Sequence, residues 1–390
     1  MTRLLILNPS ELTRDPRARR AAQTGREHGF DVVGLCGQRA GEEPLPLEGI
    51  DVRRLPADRM SGTLRRAGLG GFTEQRPFVR ELRGIYRLLR TGRQNLRLVR
   101  AGRRLGRFDV VHANENDSLP AGWLLARRSA ARLVYDAHEL YSTSEPNYPV
   151  VYRAVTSRIE SALARRADAV TAVSEPIGEE LQRRFRLRAR PLTVLNAPEV
   201  SGEDPVPGGT GPLSAIYQGA MGASRPLSDL LDAAEAGDGW VLTIRVAGAD
   251  PEALRREVKQ RGLADRVEIA DPVPPTELVQ ALRGYEVGII LNRPLTLNDE
   301  LVFPNKLFEY LMAGLAVAAP RLPGLTPLVE GDAVGVTFEP GRPDRLGAAL
   351  SALAVDRPRL EALRRTARQL ALERYNAQVQ GEILVRAWRP

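Results

Sequence analysis

Lys306 and Glu309 stand one helical turn apart in FPNKLFEYLMAG (303–314), and their types and spacing suit a charged ligand that also carries hydroxyls. Of the 56 basic residues only Lys259 and Lys306 are lysine; all the others are arginine. The two are not interchangeable, because lysine is a compact point charge on a flexible stem and arginine a planar fork. Pro304 fits the first turn of a helix, where its missing N–H is no loss. The free N–H groups of such a turn, joined by an ammonium, make a phosphate cradle. One turn on, a carboxylate can accept hydrogen bonds from two adjacent hydroxyls, as on a ribose. Leu307, Phe308 and Leu311 form the core-facing stripe, so Asn305, Lys306 and Glu309 are expected together away from it, beside the small Ala313. The competing reading is a surface ion pair, but Lys before Glu is the poorer order for one.

A second anion-binding candidate is YQGAMGASRPLSDLL (217–231), a strand, then Gly219 and Gly222 in a loop, then Arg225 ahead of a helix. Glycine admits a close backbone approach and arginine forks onto a diphosphate. Of the three histidines, His138 in YDAHEL (135–140) follows the carboxyl end of a strand, where open α/β sheets bind ligands. It is expected to contact a substrate hydroxyl. His28 reads as a helix C-terminal cap and His112 as a core histidine. There is no Asp-x-Asp, no His/Cys/carboxylate cluster of metal spacing, no Walker loop and no Gly-x-Ser-x-Gly. A catalytic divalent ion is therefore not expected, nor any cofactor.

The elements that must position these residues follow from the hydrophobic pattern. Apolar runs at 3–8, 31–36, 108–113, 132–137, 168–174 and 192–196 alternate with helical patterns at Leu119–Arg128, Val151–Ala167 and Glu175–Phe185. Such alternation predicts βα units and a parallel sheet. The Pro- and Gly-rich NAPEVSGEDPVPGGTGP (196–212) then predicts a boundary. The rhythm restarts with LSAIYQG, VLTIRVAG, RVEIAD, EVGIILN, LAVAAP and AVGVTFEP, with helices expected from Leu227, Pro251 and Pro275. Residues 343–375 read as two helices, followed by an amphipathic stretch to Trp388. A first domain at 1–197, a second at 198–375 and a C-terminal helix at about 376–390 returning to the first are expected.

The 390 residues, 43% hydrophobic and 27% charged, describe a globular protein, and the apolar runs are too short to span a bilayer. The short run in MTRLLILNPS reads as a buried strand rather than a signal peptide. A single cysteine, Cys36, excludes an internal disulfide and fits a reducing cytoplasm. The net charge of +8 is uneven: residues 1–200 carry 35 basic and 23 acidic side chains, a balance of +12, and residues 201–390 carry 21 and 25, a balance of −4. An anionic partner for the first half and an arginine-rich genome both account for this.

Much of the excess lies in RPFVRELRGIYRLLRTGRQNLRLVRAGRRLGR (76–107), whose only acid is Glu81. Arginines recur at three- and four-residue intervals, with Phe78, Leu82, Ile85, Leu89, Leu96 and Val99 forming an apolar side. Such an element either caps a sheet with its charged face in solvent or lies on an anionic membrane. Nucleic acid is not expected, because no aromatic stacking platform accompanies the arginines.

Taken together, TRDPRARRAAQTGREHGFDV, FDVVHANENDS, LVYDAHELYS, ADAVTAVSE, VLNAP and above all FPNKLFEYLMAGLAVAAP resemble, in order and over nearly the whole chain, the retaining GT-B glycosyltransferases of family 4 (glycosyl transferases group 1). The resemblance implies an α/β chain with two Rossmann-like domains facing each other across a cleft. It implies transfer of a hexose, without a metal, from a nucleoside diphosphate sugar (a UDP-sugar) to a glycan, lipid-linked or secondary-metabolite acceptor. Carried over by position, Glu309 binds the donor ribose, Arg225 the diphosphate, Lys306 the diphosphate or sugar, and the backbone at Val273 faces the base. Gly219, Asn305 and Leu307 complete the donor set, and His138 lies near the transferred sugar. Arg14, Arg17 and Asn114 are expected to touch the acceptor. The family's paired glutamates stand eight apart, but residue 301 is Leu, so Glu300 or Asp299 would have to substitute. Ala220 replaces the first arginine of the diphosphate clamp. These departures leave two alternatives, a non-catalytic sugar-nucleotide-binding accessory protein and a sugar-nucleotide 2-epimerase. The cysteine usage places the work in the cytoplasm, and the basic amphipathic segment 76–107 leaves peripheral contact with the inner membrane face open beside the solvated-face reading; the oligomeric state is left open.

Overall fold

The computed structural model describes residues 1–389 other than 39–43, 57–76, 146, 203–204, 207, 223, 247 and 249. They form two compact units, Met1–Val194 with Gly381–Pro390, and Leu195–Gln380.

The first unit is built on seven parallel strands: β1 (Arg3–Asn8), β2 (Asp31–Gly37), β3 (Asp51–Leu55), β4 (Val110–Asn114), β5 (Arg132–Ala137), β6 (Ala169–Ala172) and β7 (Leu192–Thr193). Their order is β3-β2-β1-β4-β5-β6-β7. Leu4 to Leu7 of β1 are fully buried on both faces, which explains a continuous apolar run where a half-exposed strand would alternate. β1 pairs with β2 on one side and β4 on the other, so the strand order reverses direction between β1 and β4. In sheets of this kind that reversal opens a crevice at the strands' carboxyl ends. The helices are α1 (Pro16–Glu27), α2 (Pro77–Arg104), α3 (Glu115–Ser129), α4 (Val150–Ala164) and α5 (Glu175–Phe185). The start of α1 is fixed by Asp15, whose carboxylate accepts from Arg17 N and Ala18 N, with Pro16 at its first position.

The second unit repeats the scheme with six parallel strands: β8 (Leu213–Gly219), β9 (Trp240–Val246), β10 (Val267–Ala270), β11 (Val287–Ile289), β12 (Ala316–Pro320) and β13 (Gly335–Phe338). Their order is β10-β9-β8-β11-β12-β13, reversing between β8 and β11. Its helices are α6 (Ser228–Ala236), α7 (Pro251–Gln260), α8 (Leu297–Leu301), α9 (Asn305–Met312), α10 (Leu325–Val329), α11 (Pro343–Val355) and α12 (Arg357–Glu373). The helix expected from Pro275 is instead two 3-10 turns, Pro275–Glu277 and Gln280–Leu282.

The last helix, α13 (Ala377–Trp388), carries the chain back into the first unit. Leu384, Val385 and Trp388 join the core formed by Leu4, Ile6, Phe30 and Val32. The indole N–H of Trp388 donates to His112 Nδ1 at 3.2 Å, so His112 is a fully buried core histidine. His28 caps α1 through Thr24 O at 2.9 Å and meets Glu382 of α13 at 3.0 Å.

α2 packs against α3 and α4, but not by its apolar side. Gly84, Asn95, Leu98 and Gly102 face inward, while Phe78, Leu82, Ile85, Leu89 and Leu96 are exposed and only Val99 of the expected stripe is buried. The apolar side thus faces out together with Arg93, Arg100, Arg103 and Arg104, and the expectation that it would pack inward under a charged outer face is corrected. The reason lies in the partners: Arg87 stacks on the Tyr148 and Tyr152 rings at 5.3 and 4.7 Å, and Asn95 bonds the backbone of Asp117 and Ala121. No helix among the described residues is long and apolar enough to cross a membrane.

Candidate active site

In the second unit the site gathers where the strand order reverses. β8 ends at Gly219, whose φ is +138°, and a Cβ there would stand 2.6 Å from the Lys306 ammonium nitrogen. The backbone angle requires glycine, and an added Cβ would have to push the lysine tip aside. Lys306 is only 8% exposed. Its Nζ lies 4.1 Å from the centre of the Tyr217 ring and has no hydrogen-bond partner among the described residues. Burial, and then the charge of Arg225, bring its pKa down to about 7, with Glu309 opposing them. Two cations brought together with one carboxylate disfavour each other in a place of low polarity. An anion joining them reverses that balance.

Local hydrogen bonds hold the other members. Gly222 and Arg225 exchange backbone bonds at 2.9 and 3.4 Å, closing the turn after β8 from which Arg225 projects. Gln218 Nε2 donates to Glu309 Oε2 at 3.0 Å, and Arg245 donates to Gln218 Oε1 at 3.2 Å, fixing which way the amide faces. The Tyr310 hydroxyl accepts from Gln218 N at 3.0 Å and donates to Ile289 O at 3.2 Å. It thus pins α9 to β8 and β11. Pro304 is the N-cap of α9 and offers no side-chain acceptor, so the first turn's N–H groups are uncapped by a side chain. Asn305 is exposed at that turn.

In the first unit Asp136, 1% exposed at the end of β5, is the hub. It accepts from Arg17 Nε and Nη2 at 2.7 and 2.6 Å, from the Thr171 hydroxyl and from His138 Nε2 at 3.1 Å. Burial alone would raise its pKa, but Arg17 and His138 hold it well below the usual carboxylate range. Burial likewise disfavours charge on His138, yet Asp136 outweighs it and the imidazole pKa is raised. His138 Nδ1 is 3.6 Å from Glu115 Oε1. Glu115 opens α3 with a φ of +60°, a strained angle for a residue with a Cβ. Burial lifts its carboxyl to about 7, against the opposing pull of His138. The Tyr141 hydroxyl is buried nearby without a hydrogen-bond partner among the described residues. A carboxyl lifted to about 7 beside an imidazole of raised pKa can take or give a proton to a substrate hydroxyl.

Lys306, Arg225, Gly219 and Glu309 are brought together, and His138 and Arg17 meet through Asp136. Three roles are corrected. Arg17, 6% exposed and also bonded to Val194 O at 2.6 Å, supports Asp136 and presents no free fork to an acceptor. Asn114 is fully buried, its amide donating to Leu7 O at 2.9 Å, and ties β4 to β1. Leu307 lies in the core, and its N–H is taken by Pro304 O at 3.0 Å. Arg14 is exposed on the turn before α1, and Val273 is half-buried in the loop after β10. Asp299 closes a capping box with Thr296, which leaves Glu300 as the acidic neighbour of Leu301 not committed to a cap. Although no sequence-local metal motif exists, folding brings ligand atoms of Asp15, Glu115 and His138 within 4.8 Å of one another. Sequence reasoning missed Asp136, Gln218 and Arg245; each is a polar residue inside an otherwise apolar strand, a signal that could have found them. The left-handed backbone of Glu115 leaves no such trace.

Comparison with known proteins identifies the fold and the family. No curated protein matches the sequence significantly. Among solved structures, Anabaena HepE with UDP superposes with a TM-score of 0.70 at 16% identity, covering 99% of each chain. Sucrose-phosphate synthase from Thermosynechococcus elongatus does so at 0.73 and 17%, covering 100% of this chain and 98% of that one. A Rickettsia africae glycosyltransferase gives 0.69 at 12%, covering 99% and 98%. At such identities the likeness is one of fold. Two family descriptions match in tandem, Glycosyltransferase Family 4 over residues 17–197 and Glycosyl transferases group 1 over 216–356. The chain belongs to the family 4 (group 1) glycosyltransferases and is an enzyme of the GT-B fold.

Proposed function

We propose that the enzyme transfers a hexose from a UDP-sugar to a glycan, lipid-linked or secondary-metabolite hydroxyl, with retention and without a metal. The observation that carries the donor reading is the buried Lys306 ammonium, unpartnered and beside Arg225, with the Glu309 carboxylate one turn on. A nucleoside diphosphate meets all three: its phosphates take Lys306, Arg225 and the first-turn N–H groups around Asn305, and its ribose hydroxyls donate to Glu309. Val273 backs the base. UDP as the nucleotide is supported by HepE, solved with UDP and with UDP-glucose. His138 and Glu115, together with the exposed Arg14, bind the acceptor and the transferred sugar.

Charge builds on the leaving diphosphate as the glycosidic bond breaks, and fixed cations aimed at that charge lower the barrier as a metal would elsewhere. Lys306 and Arg225 supply it here, which is the ground for metal independence. Attack on the leaving-group side gives retention. The sole cysteine, Cys36, is buried and unpaired, in keeping with work in the cytoplasm.

The test is incubation of the protein with UDP-, GDP- and dTDP-sugars, reading donor cleavage by mass spectrometry with and without a chelator. UDP-sugar turnover unaffected by chelation and lost in Glu309→Ala and Lys306→Ala is the outcome the proposal requires. Turnover of a GDP- or dTDP-sugar alone, or loss on chelation, contradicts it. The anomeric coupling constant of the product reports retention or inversion.

A further inference from the structure

Five large apolar side chains lie in one row on the outside of α2: Phe78 is 72% exposed, Leu82 50%, Ile85 43%, Leu89 64% and Leu96 54%. Their spacing of four, three, four and seven residues keeps them within a narrow strip of the helix surface, about 27 Å long at the α-helical rise. A continuous strip of this kind is unusual on a protein that faces only water. Packing does not explain it, because α2 is held to the body by Gly84, Arg87, Asn95, Leu98 and Gly102, on another side. The helix is docked by its polar and glycine face and leaves its apolar face out.

Charge decides what covers it. α2 contains nine arginines and one acid. That acid, Glu81, is already engaged, accepting from Val150 N at 2.8 Å and Val151 N at 3.1 Å at the start of α4. Arg93, Arg100, Arg103 and Arg104 are exposed beside the C-terminal half of the strip, and Val150 and Val151 are exposed near its other end. The strip has heptad-like spacing, which would suit a second copy of the chain, but pairing two such helices would bring eighteen arginines together against two glutamates, twice the single-chain counts. An anionic lipid surface satisfies both features, taking the apolar side chains among its acyl chains and the guanidinium groups at its phosphates.

We infer that the apolar strip Phe78–Leu82–Ile85–Leu89–Leu96 of α2, with Arg93 and Arg100 beside it, seats the enzyme on an anionic phospholipid bilayer. The helix lies in the plane of the interface and does not span the membrane. This goes beyond the donor reading and does not depend on it.

The experiment is co-sedimentation of the full chain with vesicles of phosphatidylcholine alone and of phosphatidylcholine with phosphatidylglycerol in equal parts, at low and high salt. Wild-type protein is expected to bind the anionic vesicles, weakly or not at all the neutral ones, and less as salt rises. Leu82→Ser with Leu89→Ser is expected to weaken binding at least about tenfold. Arg93→Ser with Arg100→Ser is expected to weaken it by about the same factor on anionic vesicles only. These positions are exposed, so an unchanged melting temperature checks that the fold is intact. Absence of wild-type binding to anionic vesicles at low salt overturns the inference, as does binding that both variants retain. A concentration-dependent dimer abolished by the leucine substitutions, without lipid binding, assigns the strip to a second copy and overturns it too.

Discussion

The tip of Lys306 lies against the backbone of Gly219: an added Cβ would lie 2.6 Å from the ammonium nitrogen, so any larger residue has to push that tip aside. The end of β8 and the first turn of α9, 87 residues apart in sequence, thus meet at the site.

Gly219→Ala is therefore expected to displace Lys306 and to strain a backbone whose φ is +138°. Affinity for UDP should fall by at least about tenfold with a loss of stability of about 1–3 kcal/mol, read by calorimetric titration and thermal melting. Normal UDP affinity in this variant would mean that the ammonium is not at the nucleotide.

Lys306→Arg should lower turnover more than it lowers donor affinity. A planar fork cannot occupy a buried point-charge position beside Tyr217 and Arg225 without moving them. Steady-state kinetics separate the two effects, and equal kcat for both proteins would show the lysine to be incidental.

Tyr310→Phe removes one hydroxyl that serves both Gln218 N and Ile289 O while leaving the ring in place. A loss of about 1–3 kcal/mol is expected, because Gln218 N–H is left buried without its acceptor. Donor KM should rise as well, since Gln218 also steadies Glu309. Denaturant melts and kinetics on one preparation decide whether the two losses travel together.

Asp136→Asn leaves the Arg17 guanidinium buried without its counter-charge and is expected to destabilise the first unit by about 3–5 kcal/mol. The sign of its pH dependence follows from the depressed Asp136 pKa. The carboxylate's contribution is fully present above the unfolded-state value and is lost as pH falls toward the folded one. Wild type should therefore lose stability in acid more steeply than the variant, a difference that thermal melts across acidic pH will show.

Strands were legible where burial on both faces leaves an unbroken apolar run, as at Leu4–Leu7. The order Lys306, Glu309 on one short helix was also readable from residue type and spacing, whereas the contact of Lys306 with Gly219 was not. Tertiary partners determined the rest. Asn114 and Leu307 carry the right names at the right places but are turned inward by the sheet and the core. Arg17 belongs to Asp136, 119 positions away, and no local pattern joins them. α2 shows the clearest limit: its periodicity gives the apolar strip, but only Tyr148, Tyr152 and Asp117 decide that the opposite side packs inward.

The central claim is that a nucleoside diphosphate completes the Lys306 site. With a pKa of about 7 in the absence of ligand, Lys306 is largely neutral in mildly alkaline solution, and a bound diphosphate restores its charge. Titration of the protein with UDP at about pH 8, in two buffers of different ionisation enthalpy, measures the protons exchanged on binding. Uptake of close to one proton in wild type, absent in Lys306→Met together with a large loss of affinity, is the predicted result. UDP binding of equal strength in Lys306→Met, with the same proton exchange as wild type, would contradict the account.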